Sequence, residues 1–206
     1  MPSAYTAGAA VPLGPAMHED AVLNMRDFEA LARLSRHEHD EIFRQGTPPS
    51  VEELLGFDFC GWNCSLLSKL GGFQKFIKGF APGPEHRPGE AEGFNVTAIQ
   101  NGLDGEWLGL PADDEPRQFG FYTVTRLDRT LTGTPAGALL LDYGAHPANR
   151  CVDPLRLLRD VVVKVEGDTG LFLGRAHLAL GAWVFVGYFL LRRRHALPHL
   201  SGVGPE

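Results

Sequence analysis

Residues 159–166 (RDVVVKVE), 171–180 (LFLGRAHLAL) and 183–192 (WVFVGYFLLR) follow one another with only Gly167-Asp168-Thr169-Gly170 and Gly181-Ala182 between them. Each stretch is rich in β-branched and aromatic residues and is bounded by glycine-containing turn signals, which predicts three consecutive antiparallel strands. Pairing Glu166 with Leu171 across the first turn sets Val161, Val163 and Val165 against Ala176, Gly174 and Phe172. A two-residue turn at Gly181-Ala182 pairs Leu180 with Trp183. It adds Trp183, Phe185, Gly187, Phe189 and Leu191 to the same apolar face. The other face then holds Asp160 beside His177, and Arg175 opposite Tyr188 as a cation–π pair. A slip of one residue in either turn would exchange the two faces.

Upstream, residues 57–64, 73–80, 93–99, 118–127 and 137–143 read as five further strands, with no helix of crossover length between them. Without crossovers the sheet is antiparallel, and eight such strands close into a barrel or split into a sandwich. The expectation is a mainly β protein: a single antiparallel eight-stranded up-and-down barrel preceded by one long N-terminal helix. That helix is predicted over residues 18–45, where Ala21, Met25, Phe28, Ala32, Ser35, His39 and Ile42 follow helical spacing. Gly46 and Pro48-Pro49 end it. Ser50-Val51-Glu52-Glu53 then reads as a capping box for one short turn ending at Gly56. The resulting organisation is a flexible tail (1–17), a helical segment (18–55), the barrel (56–192) and a C-terminal tail (193–206).

With 44% hydrophobic and 21% charged residues the chain has a globular composition, and 25 glycines and 15 prolines favour many turns over a helical bundle. The net charge of −6 is carried by residues 18–58, and the remainder is neutral. Arg192–Arg194 are the only clustered basic residues, so no nucleic-acid partner is expected. Residues 178–191 lack charge but are too short to span a bilayer, so no membrane span is expected. Cys60 and Cys64 in one strand lie about 13 Å apart, beyond disulfide reach. With the odd third cysteine, Cys151, this points to free thiols and a cytoplasmic location.

The apolar face nominates a ligand site. Phe172, Gly174, Ala176, Trp183, Phe185, Gly187 and Phe189 line it with Val161 and Val163, and the small residues leave room for a ligand. Arg159, the one charge placed on that face, would receive an acidic head or pair with Asp142. Asn63, Lys75, Asn95 and Tyr122 are further polar candidates. The connections 81–92, 100–117 and 144–156 are long enough to act as lids or an entrance. Asp142, Tyr143 and His146 near a strand end could support acid–base chemistry. His37 and Glu41 are adjacent on the helix, but a solvated face accounts for them better than a metal site.

The eight strands with their terminal hairpins resemble the calycin-type barrels of lipocalins and fatty-acid-binding proteins over residues 56–192. Gly56-Phe57-Asp58-Phe59-Cys60-Gly61-Trp62 and Leu173-Gly174-Arg175-Ala176 are similar to segments of bacterial barrel proteins of the GXWXG type. The continuous apolar face with its glycine gaps and Arg159 points to a carrier or sensor of a small hydrophobic molecule, acidic-headed or neutral, held inside the barrel. No histidine falls on the derived apolar face, so neither haem nor another cofactor is expected. Two other functions fit the same reading. One is a cofactor-free cyclase or isomerase using the cavity, and the other is a scaffold in which a partner protein or a second copy docks on residues 18–45.

Overall fold

The structure is a computed structural model, described here for residues 28–83, 89–165 and 170–196. Its eight strands are β1 (Phe57–Asn63), β2 (Lys75–Pro82), β3 (Ala91–Thr97), β4 (Gln118–Arg126), β5 (Leu139–Asp142), β6 (Leu158–Lys164), β7 (Leu171–Leu180) and β8 (Ala182–Ala196). Every consecutive pair is antiparallel, and β8 returns to β1, so the sheet closes as an up-and-down barrel. Closure leaves no free edge, which is the physical advantage of this architecture over an open sheet. All eight predicted strands are found, and β8 runs four residues past its expected end.

The long N-terminal helix is a correction. Within the described residues helix occupies 28–32 and then α1 (Arg36–Gln45), with a break at Arg33-Leu34-Ser35. Ser35 caps α1: its hydroxyl accepts from the Glu38 amide, and the Glu38 carboxylate accepts from the Ser35 amide. This capping box, Ser35-x-x-Glu38, starts a new helix inside what periodicity alone reads as one. Residues 18–27, including Ala21 and Met25 of the predicted stripe, lie outside the described residues. His39 bridges the break by bonding through Nε2 to the Leu31 carbonyl, 2.9 Å away. Past the break, Phe43 becomes a fully buried anchor.

The barrel has two apolar layers, one inside and one outside. Phe59, Phe80, Tyr122, Val124, Leu139, Leu141, Val162, Phe172 and Leu191 fill one end of the interior. Edge-to-face pairs such as Phe59–Phe80 (5.3 Å) and Phe59–Phe172 (5.6 Å) lock this packing. The turn that follows the predicted Ser50–Glu53 capping box plugs the same end with Val51 and Leu54. On the outside, Phe28, Phe43 and Trp107 cover Cys60, Ile77, Val96, Val161, Val163, Leu171, Leu173 and Leu190. Arg175 ties α1 down by donating to Asp40 (2.6 Å), with its guanidinium 4.2 Å over the Phe43 ring. Loop 100–117 is held on the outer wall by Lys75, whose ammonium donates to Asn101 Oδ1 and to the Gly105 and Glu106 carbonyls and sits 3.8 Å over Trp107.

This second layer hides the register from the burial pattern. β6 pairs with β7 one residue away from the predicted alignment, with Arg159 opposite His177 and Val163 opposite Leu173. Val161, Val163 and Arg159 therefore face outward, and Leu158, Asp160 and Val162 face inward. The valines stay buried because α1 and its neighbours cover them, so burial could not distinguish the two alignments. The β7–β8 alignment follows expectation from Leu171–Arg192 to Ala176–Gly187, including Arg175 opposite Tyr188. A bulge at Val186 then shifts it, and Leu180 pairs with Ala182 around Gly181 (φ 81°). The shift turns Trp183 and Phe185 to the outside, where Trp183 lies tilted and Phe185 edge-on against His177.

Candidate internal cavity and its buried lysine

The half of the barrel away from the plug is hollow. A cavity of about 400 Å³ is walled by Phe76, Thr97, Phe119, Leu158, Ala176 and Phe189, among others. At its mouth stand Asn63, Phe73, Leu155 of the 3₁₀ turn Pro154–Leu157, and Ser65 and Ser68 of α2 (Leu66–Gly71). Two glycines account for the hollow. A Cβ at Gly61 would lie 2.2 Å from the Phe76 ring, and one at Gly174 would lie 2.0 Å from the Phe189 ring. Each glycine lets the neighbouring strand's phenyl ring lie flat on the wall instead of projecting across the lumen. The two rings then meet edge to face at 5.9 Å.

Between the hollow and the packed end lies a polar cluster. Lys78 on β2 and Asp160 on β6 have side chains only 3% and 6% exposed, and Lys78 Nζ is 3.2 Å from Asp160 Oδ2. The ammonium also donates to Asn95 Oδ1 (3.0 Å) and to the Tyr143 hydroxyl (2.5 Å). Tyr143 in turn donates to Asp160 Oδ2 at 3.1 Å. Asn95 Nδ2 donates to the Gly120 carbonyl (2.8 Å), which fixes the amide so that its oxygen faces the lysine. Three acceptors therefore use the three ammonium protons, as a buried cation requires. The rings of Tyr122, Tyr143, Phe189 and Phe76 surround Nζ at 4.6–5.7 Å. Burial in this apolar shell lowers the Lys78 pKa, and Asp160 partly restores it. Burial likewise holds the Tyr143 and Tyr122 hydroxyls well above the usual phenol range, so both are neutral donors.

The structure distributes the sequence-predicted site residues over both faces. Ala176, Gly187 and Phe189 line the cavity, Phe172 lies in the packed end, and Gly174 underlies the Phe189 ring. Val161, Val163, Trp183 and Phe185 are on the outer wall. Arg159 is outside as well, 3.1 Å from Asp142 and donating to the Arg156 and Leu158 carbonyls. Of the three acid–base candidates only Tyr143 reaches the cavity. Asp142 turns outward to Arg159 and the Ala145 amide, and His146 stacks on Phe121 near Glu92. Asn95 and Tyr122 are inside, Asn63 is at the mouth, and Lys75 borders the cavity while its ammonium is held on loop 100–117. Of the predicted lids, loops 100–117 and 144–156 lend the lining only Gln100 and Leu155.

Lys78 and Asp160, the two charges at the centre of the site, were missed. For Lys78 a signal existed: Phe76, Lys78 and Phe80 alternate on one strand face, which puts a cation between two phenyl rings. Asp160 carried none, because its facing depends on the β6–β7 register. Elsewhere His37 and Glu41 pair at 3.5 Å on an exposed helix face. Among the described residues no three His, Cys, Asp or Glu side chains gather as metal ligands. Cys60, Cys64 and Cys151 are free, and burial pushes the Cys64 thiol up to about 12.

The fold and the site thus define a closed eight-stranded β-barrel with an internal cavity and a buried lysine–aspartate pair. No protein-family model and no curated protein matches this chain. A crystal structure of a protein from Thermomonospora curvata is similar to it with a TM-score of 0.48 and 18% identity, over 85% of this chain and 99% of that one. No helix among the described residues is long and apolar enough to cross a membrane.

Proposed function

We propose that the protein is a calycin-like carrier or sensor that holds one small hydrophobic molecule in the hollow half of its barrel. The observation behind this is the shape and chemistry of the cavity. Its volume falls within the roughly 300–1,000 Å³ typical of small-molecule sites, and its walls are mostly apolar with polar groups gathered at one place. A ligand would lay its hydrocarbon body against Phe76, Phe119, Leu158 and Phe189 and turn a hydrogen-bonding head toward Lys78, Tyr143 and Asp160. Because Arg159 faces outside, an acidic head would meet Lys78 instead. The three free thiols suit a reducing compartment such as the cytoplasm.

Denaturing mass spectrometry of protein purified from its native host tests for a retained molecule. Titration with the fluorophore anilinonaphthalene sulfonate tests for the cavity. Ala176→Trp, which puts an indole into the lumen, should abolish the fluorescence rise, and Arg159→Ala, on the outer wall, should leave it unchanged. No retained molecule, together with equal fluorescence in wild type and Ala176→Trp, would reject the reading.

A further inference from the structure

A lysine that ends at an apolar cavity, beside a carboxylate and a phenol, has the parts needed to bond covalently to a carbonyl compound. We propose that Lys78 captures an apolar aldehyde as a protonated imine, with Tyr143 relaying the proton and Asp160 serving as base and then counterion. The inference rests on the carrier reading above and narrows its ligand to one class.

The geometry supplies each transfer. Lys78 Nζ lies 3.2 Å from Asp160 Oδ2, so the ammonium proton passes directly to the carboxylate and leaves a neutral amine. That amine attacks the carbonyl carbon, and the π electrons of the C=O bond move to oxygen. The Tyr143 hydroxyl, hydrogen-bonded to both Lys78 and Asp160, gives its proton to the new alkoxide and regains one from the Asp160 acid. The ammonium nitrogen of the adduct then returns a proton to Asp160, which yields a neutral carbinolamine. A second relay through Tyr143 protonates the carbinolamine oxygen, which leaves as water while the nitrogen lone pair forms C=N⁺. One water is released, no oxidant or reductant is used, and the product is a cation beside Asp160, as in the resting state.

The surroundings favour this chemistry. Desolvation by the aromatic shell makes the free amine more accessible than at an exposed lysine. The mostly apolar walls of the lumen disfavour the water that would hydrolyse the imine. The chain's other three lysines provide internal controls: Lys69 is exposed, the Lys75 ammonium is held by Asn101, Gly105 and Glu106, and Lys164 is paired with Glu53.

The full-length protein would be incubated with octanal and sodium cyanoborohydride, which reduces imines to stable secondary amines, and the alkylated lysines mapped by peptide mass spectrometry. Lys78 should be labelled at least about tenfold faster than Lys69, because binding raises the local aldehyde concentration. Excess octanol, an unreactive analogue, should suppress the Lys78 label alone. Tyr143→Phe should slow that label by at least about tenfold while anilinonaphthalene sulfonate still binds. If octanal displaces the fluorophore but labels only Lys69, covalent capture is wrong and the carrier reading stands. If neither octanal nor the fluorophore enters and labelling follows exposure, both fall. The decisive map is made on the unmutated chain, so a folding defect in a variant cannot obscure it.

Discussion

Replacing Asp160 by Asn removes the charge that faces Lys78 while keeping a side chain of nearly the same shape with an oxygen acceptor. The structure sets the expected size of the effect. Lys78 and Asp160 are almost wholly enclosed, so the variant would leave an ammonium in an aromatic shell with only neutral dipoles around it. Breaking such a buried pair from one side costs about 3–5 kcal/mol. That is a large share of the ~5–15 kcal/mol that holds a typical domain folded. For a chain of this size it corresponds to a fall in Tm of roughly 10 °C.

The loss should depend on pH with a definite sign. Burial lowers the Lys78 pKa in the folded protein and Asp160 raises it, so the variant's lysine gives up its proton at lower pH still. The unfolded chain keeps an ordinary lysine, near ~10.4. Between those two values the unfolded state binds more protons, so stability rises with pH across that interval. The interval reaches lower pH in the variant than in the wild type, so the deficit should shrink as pH climbs toward about 10. Urea unfolding at a series of pH values from 6 upward, with both proteins in parallel, measures this. A deficit below about 1 kcal/mol, or one that stays constant with pH, would refute the claim that a buried charge pair organises the site.

Two further outcomes follow from the packing. Gly174→Ala should cost about 1–3 kcal/mol and weaken fluorophore binding, because its methyl would displace the Phe189 ring into the cavity. Thermal melts and the fluorescence titration read the two effects, and adding Phe189→Leu should relieve the first. Hydrogen bonding by Tyr188, followed by the Arg175 and Arg44 charges, holds the Asp40 carboxyl below its ordinary value. Its contribution is therefore present above the unfolded value near ~3.9 and is lost as pH falls below it. Asp40→Asn should accordingly be less stable than wild type at neutral pH, with the gap closing in acid unfolding curves below about pH 4.

Local pattern alone determined the eight strands, the turn at Ser50 and the antiparallel order, because alternation, glycine turns and missing crossovers are written into neighbouring residues. Arg175 pairs with Tyr188 as expected, although by another route: the turn at Gly181 is one residue tighter than read, and the bulge at Val186 restores the alignment. The inner and outer faces were not legible. In a barrel with one wet side, apolar residues mark the inside, but here α1 and loop 100–117 bury the outer wall as well. With both faces of β6 apolar, a one-residue shift of the β6–β7 pairing satisfied the pattern equally well. It exchanged Arg159 and Val161 for Asp160 and Val162. Which charge entered the lumen was therefore decided by closure of the whole cylinder. Asp160 had to meet Lys78 from the far side of the barrel, 82 residues away in sequence. Short-range periodicity carries no information about a contact of that range, because the desolvation that makes it necessary exists only once the sheet has closed.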